Sequence, residues 1–202
     1  MKTRPGPVAG FAPHSGWAAM VVVGGDAANP EVLTRCRVEM ADPRLAGSKQ
    51  PYHEVEGLPL EEAERRLARL SDSAGAMAHE AIRALVEEIG RRESAPVSAG
   101  ILDSSGRKGD SLAAILASHA LIHTADGNHF REALAMACRR CDLEVVRVRQ
   151  RDLAGRAAAA LGKSPALLAA TVRDLGQPFG APWGADQKSA AMLAWLLLAE
   201  KR

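Results

Sequence analysis

One stretch constrains the architecture more than any other. Between Pro59 and Arg92, Leu60, Ala63, Leu67, Leu70, Ala74, Met77, Ala81 and Leu85 recur three or four residues apart. A helix over this span therefore carries a single apolar stripe. Glu61 precedes Arg65, and Glu62 precedes Arg66, by four residues in the favourable order. Gly75 is the weak point, where the helix is expected to bend or break. So long a stripe needs a broad apolar surface to cover, and a β-sheet supplies one. A second copy of the same helix, forming a homodimer, is the other way to cover it.

Sheet segments are present on both sides of that helix. Trp17 to Val23 is a continuous apolar run ended by Gly24 and Gly25, the pattern of a strand buried on both faces. Val32, Thr34, Cys36, Val38 and Met40 alternate with Leu33, Arg35, Arg37 and Glu39, which predicts a strand with one wet face, antiparallel to the first. Tyr52 to Glu56 reads as a short third strand. Val97 to Leu102 and Leu143 to Val148 read as further strands, parallel to the 17–23 strand and beside it at the sheet centre. Asp110 is expected to cap a helix running to about Thr124. Asp126-Gly127 is expected to break it, and Asn128 to start a second helix ending near Arg140. Helices follow over 152–161, 165–175 and 186–200. Residues 1 to 13, with Pro5, Pro7, Pro13, Gly6 and Gly10, read as an irregular arm in front of a single α/β domain over 14–202.

Composition narrows the function classes. Aromatics are 3% of the chain and the net charge is +2. A stacking platform for bases and a broad basic field are both excluded, so nucleic-acid binding is expected to be weak and local. Arg139, Arg140, Arg147, Arg149 and Arg151 form the one basic cluster. The cysteines Cys36, Cys138 and Cys141 are odd in number and predict a reducing, cytoplasmic setting without disulfides. Cys138 and Cys141 lack the second pair that a zinc site would need. Lys2 and Arg4 are not followed by an apolar run, so no signal sequence is expected. The apolar stretch 190–199 is too short to span a bilayer.

The element order is strand, strand, strand, helix, strand, helix, strand, helices. With Gly16-Trp17 opening a strand and Asp186 opening the last helix, it resembles the ribonuclease-H-like superfamily, which includes RNases H, retroviral integrases and Holliday-junction resolvases. The resemblance covers about residues 8 to 200. It implies a mixed sheet, an antiparallel hairpin plus parallel central strands, flanked by helices. It also implies a metal-assisted, nuclease-like phosphoester hydrolase whose carboxylates hold divalent metals. By position, Asp103 matches the acid that ends the fourth strand and Asp186 the acid on the late helix. The acid of the first strand has no counterpart, because Val8 to Gly16 contains none.

The residues themselves point to a second centre. His119, His123, Asp126 and His129 lie within eleven residues. His119 and His123, four apart, share one helix face, the spacing at which two imidazoles hold one metal or activate one water. Asp126 orients an imidazole, and Gly127 permits a turn that returns His129 to the pair. These four form the expected catalytic set. His119, His123, Asp103 and Asp186 form the expected ligand set for a divalent metal. Arg107 and Lys108, in the loop from Asp103 to Gly109, are expected with His14 to receive an anionic substrate at a helix start. The reading is thus a hydrolase of a phosphoester or nucleic acid. A non-catalytic binding or assembly module on the same fold is the alternative.

Overall fold

A computed structural model of the chain describes residues 6–92, 94–104, 106 and 109–201. Five strands form one mixed sheet: β1 (Val8–His14), β2 (Trp17–Gly25), β3 (Pro30–Glu39), β4 (Ser98–Asp103) and β5 (Glu144–Arg149), in the spatial order β3-β2-β1-β4-β5. β2 is antiparallel to both β1 and β3, while β1, β4 and β5 run parallel. The helices are α1 (Pro51–Glu54), α2 (Leu60–Arg92), α3 (Leu112–Leu116), α4 (His119–Arg140), α5 (Leu153–Leu161), α6 (Pro165–Leu175) and α7 (Ala185–Glu200). The α/β expectation with a hairpin and parallel central strands therefore holds.

The two faces of the sheet follow the two-residue period of the strands. Ala9, Phe11, Met20, Val22 and Ile101 point toward α2 and α4, where Ala74, Ala78, Ile82, Phe130 and Leu134 complete one core. Val8, Ala12, Val21, Val23 and Leu102 point the other way, onto α7, which is buried nearly all round from Ala190 to Ala199. Buried Trp195 fastens this helix by donating its indole N–H to the Ala27 carbonyl at 3.0 Å.

The irregular arm expected over residues 1–13 lies outside the described residues over 1–5 and is corrected from Val8 on: Val8–His14 is the central strand of the sheet. Its proline and glycine, which suggested a loop, each have a place in it. Pro13 lies beyond the last β4 pair, Phe11 with Ile101, so its missing N–H costs no bond on that side. Gly10 and its register partner Gly100 let α7 approach the sheet backbone. A Cβ at Gly10 would stand 2.0 Å from the Ala190 carbonyl oxygen, and one at Gly100 2.6 Å from Leu193 Cγ. The Trp17 segment is consequently the second strand, antiparallel to β1 and not adjacent to β4.

Three further expectations change. The short strand over 52–56 is instead the single helical turn α1, which opens on Pro51 at its first position. Gly75 does not interrupt α2. The break expected at Asp126-Gly127 lies inside continuous α4. The interruption falls earlier, where Ser111 caps α3 by accepting from Ala114 N, and Ser118 then leads into α4.

Among the described residues no helix is long and apolar enough to cross a membrane.

Candidate metal centre

β1, β3, β4 and β5 all run in one direction, so their C-terminal ends share one edge of the sheet. Ligand sites of open α/β sheets gather at such an edge. The chain leaves β3 there and forms α1. It leaves β4 there and, after α3, returns along the sheet as α4. Arg131 of α4 donates to the Leu102 carbonyl at 3.1 Å, which sets the helix level at the end of β4. His119 lies twelve residues earlier, about 18 Å along the axis at 1.5 Å per residue. The first turns of α4 therefore overhang the sheet edge, and α1 packs against them.

Three imidazoles meet at this overhang. His119 and His123 stack on one face of α4 with their Nε2 atoms 3.1 Å apart. His53 of α1 closes the group, its ring centroid 4.5 Å from His123 and 5.4 Å from His119. One nitrogen from each of the three lies within 4.8 Å of the others. Two imidazoles on one tetrahedral ion, with metal–nitrogen bonds of about 2.0–2.1 Å, hold their nitrogens roughly 3.3 Å apart. The His119–His123 pair is already near that spacing. His119 and His123 are exposed and His53 is half-buried, so the group is open on one side.

Asp126 supports the group from below. It is 3% exposed. Its Oδ1 accepts the Tyr52 backbone N–H at 2.7 Å, and its Oδ2 lies 2.5 Å from His53 Nδ1. Burial raises the carboxyl pKa, while the Tyr52 amide and His53 pull it back. The carboxylate takes the Nδ1–H of His53 and leaves Nε2 as the nitrogen with a free lone pair. This is the carboxylate–histidine arrangement that orients metal-ligating imidazoles.

The other expected site residues fall elsewhere. His129 does not turn back to the pair. It sits further along α4, with Nδ1 3.5 Å from Ser71 Oγ on α2, and burial pushes its imidazole pKa down to about 4. Asp103 lies 3.8 Å from Arg131 Nε and 4.0 Å from the Arg147 guanidinium. Asp186 is paired with His14 Nε2 at 2.9 Å, and the His14 ring stacks on Trp17 at 4.4 Å. The expected ligand set of His119, His123, Asp103 and Asp186 is thus not brought together. Arg107 and Lys108 lie outside the described residues. His53 was missed because its partners are 66 and 70 residues away in sequence. Its one local signal was Pro51-Tyr52-His53, a proline-opened turn that resembles a strand in composition.

These elements form an α/β fold of the ribonuclease-H-like kind. The particular architecture is similar to that of Thermus thermophilus RuvC. The structure of that RuvC in complex with a Holliday junction substrate matches with a TM-score of 0.57 at 13% identity, over 97% of this chain and 95% of RuvC. A second structure of T. thermophilus RuvC matches with a TM-score of 0.58 at 14% identity, over 96% and 95%. No protein-family model and no curated protein matches the sequence. The likeness is therefore one of fold. The donor set at the sheet edge does not fit the carboxylate-held metals that this fold family implies. β1 offers no carboxylate, and Asp103 and Asp186 already face arginines and a histidine.

Proposed function

We propose that the chain is a metal-assisted phosphoester hydrolase working at the overhang of α1 and α4 rather than between the strand ends. The observation that carries this reading is the convergence of His53, His119 and His123 above the buried carboxylate of Asp126. Three histidines with an open side are one of the ligand sets of catalytic zinc sites. A bound ion would supply Lewis acidity toward a phosphoryl oxygen. The protein's own part is orientation. Asp126 fixes the His53 ring, the helix fixes His119 and His123 relative to each other, and Tyr52 N–H fixes Asp126. RuvC, whose fold this chain shares, has been seen with a Holliday junction, and a nucleic-acid phosphodiester is the substrate class this reading favours.

Calorimetric titration of the chain with Zn2+ and Mn2+, followed by hydrolysis of bis-p-nitrophenyl phosphate and of four-way DNA, tests the reading. One ion per chain and metal-dependent turnover are expected, both lost in His53→Ala and His123→Ala. Wild-type protein that binds no divalent ion overturns it.

A second reading is favoured by the ion pairs of Asp103 and Asp186: a binding module on this fold that does not cleave. Metal binding and DNA binding without turnover would support it over the first.

A further inference from the structure

On the opposite face of the sheet from the metal centre, α5, α6 and α7 leave a groove of about 510 Å3 between them. The sequence makes the gap. α6 turns Ala166, Ala169, Ala170 and Arg173 to one side, at helical spacing, and α5 meets that side with Ala154. Methyl groups are too short to close the space between the helices. Buried Leu153 and Val172 form the floor. Gln150, the first residue after β5, also lines the groove, which therefore opens at the same C-terminal edge of the sheet as the metal centre. Ligand sites of open α/β sheets gather at that edge. The volume lies within the range of small-molecule sites, ~300 to 1,000 Å3.

The two ends of the groove differ in chemistry. Trp183, just ahead of α7, donates its indole N–H to the Val172 carbonyl at 3.0 Å, which sets the start of α7 beside the end of α6. Arg173 and Lys188 therefore stand at one end, with Ser189 and Gln150, whose Oγ and Nε2 atoms are 3.5 Å apart. Ala166 marks the other end, about 10.5 Å away along α6 at 1.5 Å per residue. No acidic side chain lines the groove among the described residues. Asp174 accepts the Nε–H of Arg173 at 3.0 Å and leaves its two terminal NH2 groups to face a ligand. Asp186, in the first turn of α7, is held by His14. Lys188 has no carboxylate partner among the described residues. The groove thus joins a cationic, hydrogen-bonding end to an apolar trough.

We infer that this groove binds a small amphiphilic anion, its oxyanion head at Arg173 and Lys188 and its apolar body along Ala166, Ala169 and Ala170. Charge complementarity selects the head, because charged donors hydrogen-bond most strongly to a charged acceptor. The alanine trough selects the body, because an alkyl or aryl group laid there takes apolar surface out of water on both sides. A bare inorganic anion leaves the trough wet, and an uncharged apolar molecule leaves the two cations unused. Carboxylate and phosphate-monoester heads share this chemistry. The assignment is independent of the hydrolase reading, since the groove shares no residue with the histidine centre and needs no metal. It gives the chain a second ligand at the same edge of the sheet, on the other face.

The test separates head from body. The metal-free chain is titrated calorimetrically with octanoate and with octyl phosphate. The controls are octanol, which lacks the charge, and acetate and inorganic phosphate, which lack the body. At least one amphiphile is expected to bind ten-fold or more tightly than every control, and the tighter of the two identifies the head. Lys188→Gln is expected to remove the advantage over octanol. Ala169→Phe, whose ring fills the trough, is expected to weaken both amphiphiles at least five-fold. Both positions are exposed, so both variants should melt as wild type does. Wild-type chain that binds neither amphiphile, octanol or inorganic phosphate that binds as tightly as they do, or folded variants that bind them unchanged, overturn the assignment. A chain that sediments as a dimer and becomes monomeric in Ala169→Phe would give the groove to a second copy and overturn it as well.

Discussion

Replacing Asp126 by Asn isolates the role of the buried carboxylate, because the surroundings dictate how the amide must sit. The Tyr52 backbone N–H can only donate, and it lies 2.7 Å from Oδ1. The Asn oxygen must therefore take that position, which turns the NH2 group toward His53 Nδ1. An amide donor there requires Nδ1 to accept, so the ring proton moves to Nε2, the nitrogen needed by the metal. Ligation then demands a tautomer change or a lost hydrogen bond. Removing such a supporting partner typically weakens metal binding about 10- to 100-fold, or roughly 1.4–2.7 kcal/mol. Folding stability is expected to change little, since Asn is isosteric and avoids the cost of a buried charge whose pKa burial already raises. The assay is zinc calorimetry at pH 7.5, with a melting curve on the same metal-free sample. Asp126→Asn that binds zinc as tightly as wild type would refute the orienting role. A loss of metal-free folding free energy, read from the melting curve, as large as the loss of binding free energy would reduce Asp126 to a structural group.

Three further outcomes are expected. His129 is held near pKa 4 against an ordinary 6.5. The unfolded chain thus binds its proton first, so stability is complete above about pH 6.5 and falls as pH drops toward 4, by up to ~3 kcal/mol. His129→Phe should flatten that segment of a denaturation-against-pH profile, and an unchanged slope would mean that other groups carry it. Gly10→Ala sets a methyl group against the Ala190 carbonyl. The cost should reach or exceed the ~1–3 kcal/mol of ordinary overpacking, because backbone meets backbone; a melting temperature within a degree of wild type would contradict the close approach of α7 to β1. With a net charge of +2, binding to four-way DNA should be weak at low salt and weaker still at physiological salt, and sub-micromolar affinity persisting at physiological salt would show a basic surface stronger than the charge balance indicates.

The sequence by itself determined what depends on near neighbours along the chain. The stripe from Leu60 to Leu85 became α2, and the spacing of His119 and His123 became a shared helix face, because a 3.6-residue period follows from local backbone geometry. The Trp17 to Val23 run and the 97–102 and 143–148 segments became strands for the same kind of reason. Tertiary structure decided what depends on distant partners. Gly10 and Pro13 read locally as loop residues. Their place in a central strand follows from the helix that lies on Gly10 and from the end of β4 pairing at Phe11. Asp126-Gly127 read as a break because an Asp side chain competes for nearby backbone groups, yet here Asp126 is engaged by Tyr52 and His53 from another element. His53 joins His119 and His123 only because β3 and β4 end at the same edge of the sheet, so that α1 is set down beside α4. No periodicity records that meeting. Strand order is a property of pairing between segments far apart in sequence, and it is strand order that assembles the third imidazole and the carboxylate that holds it.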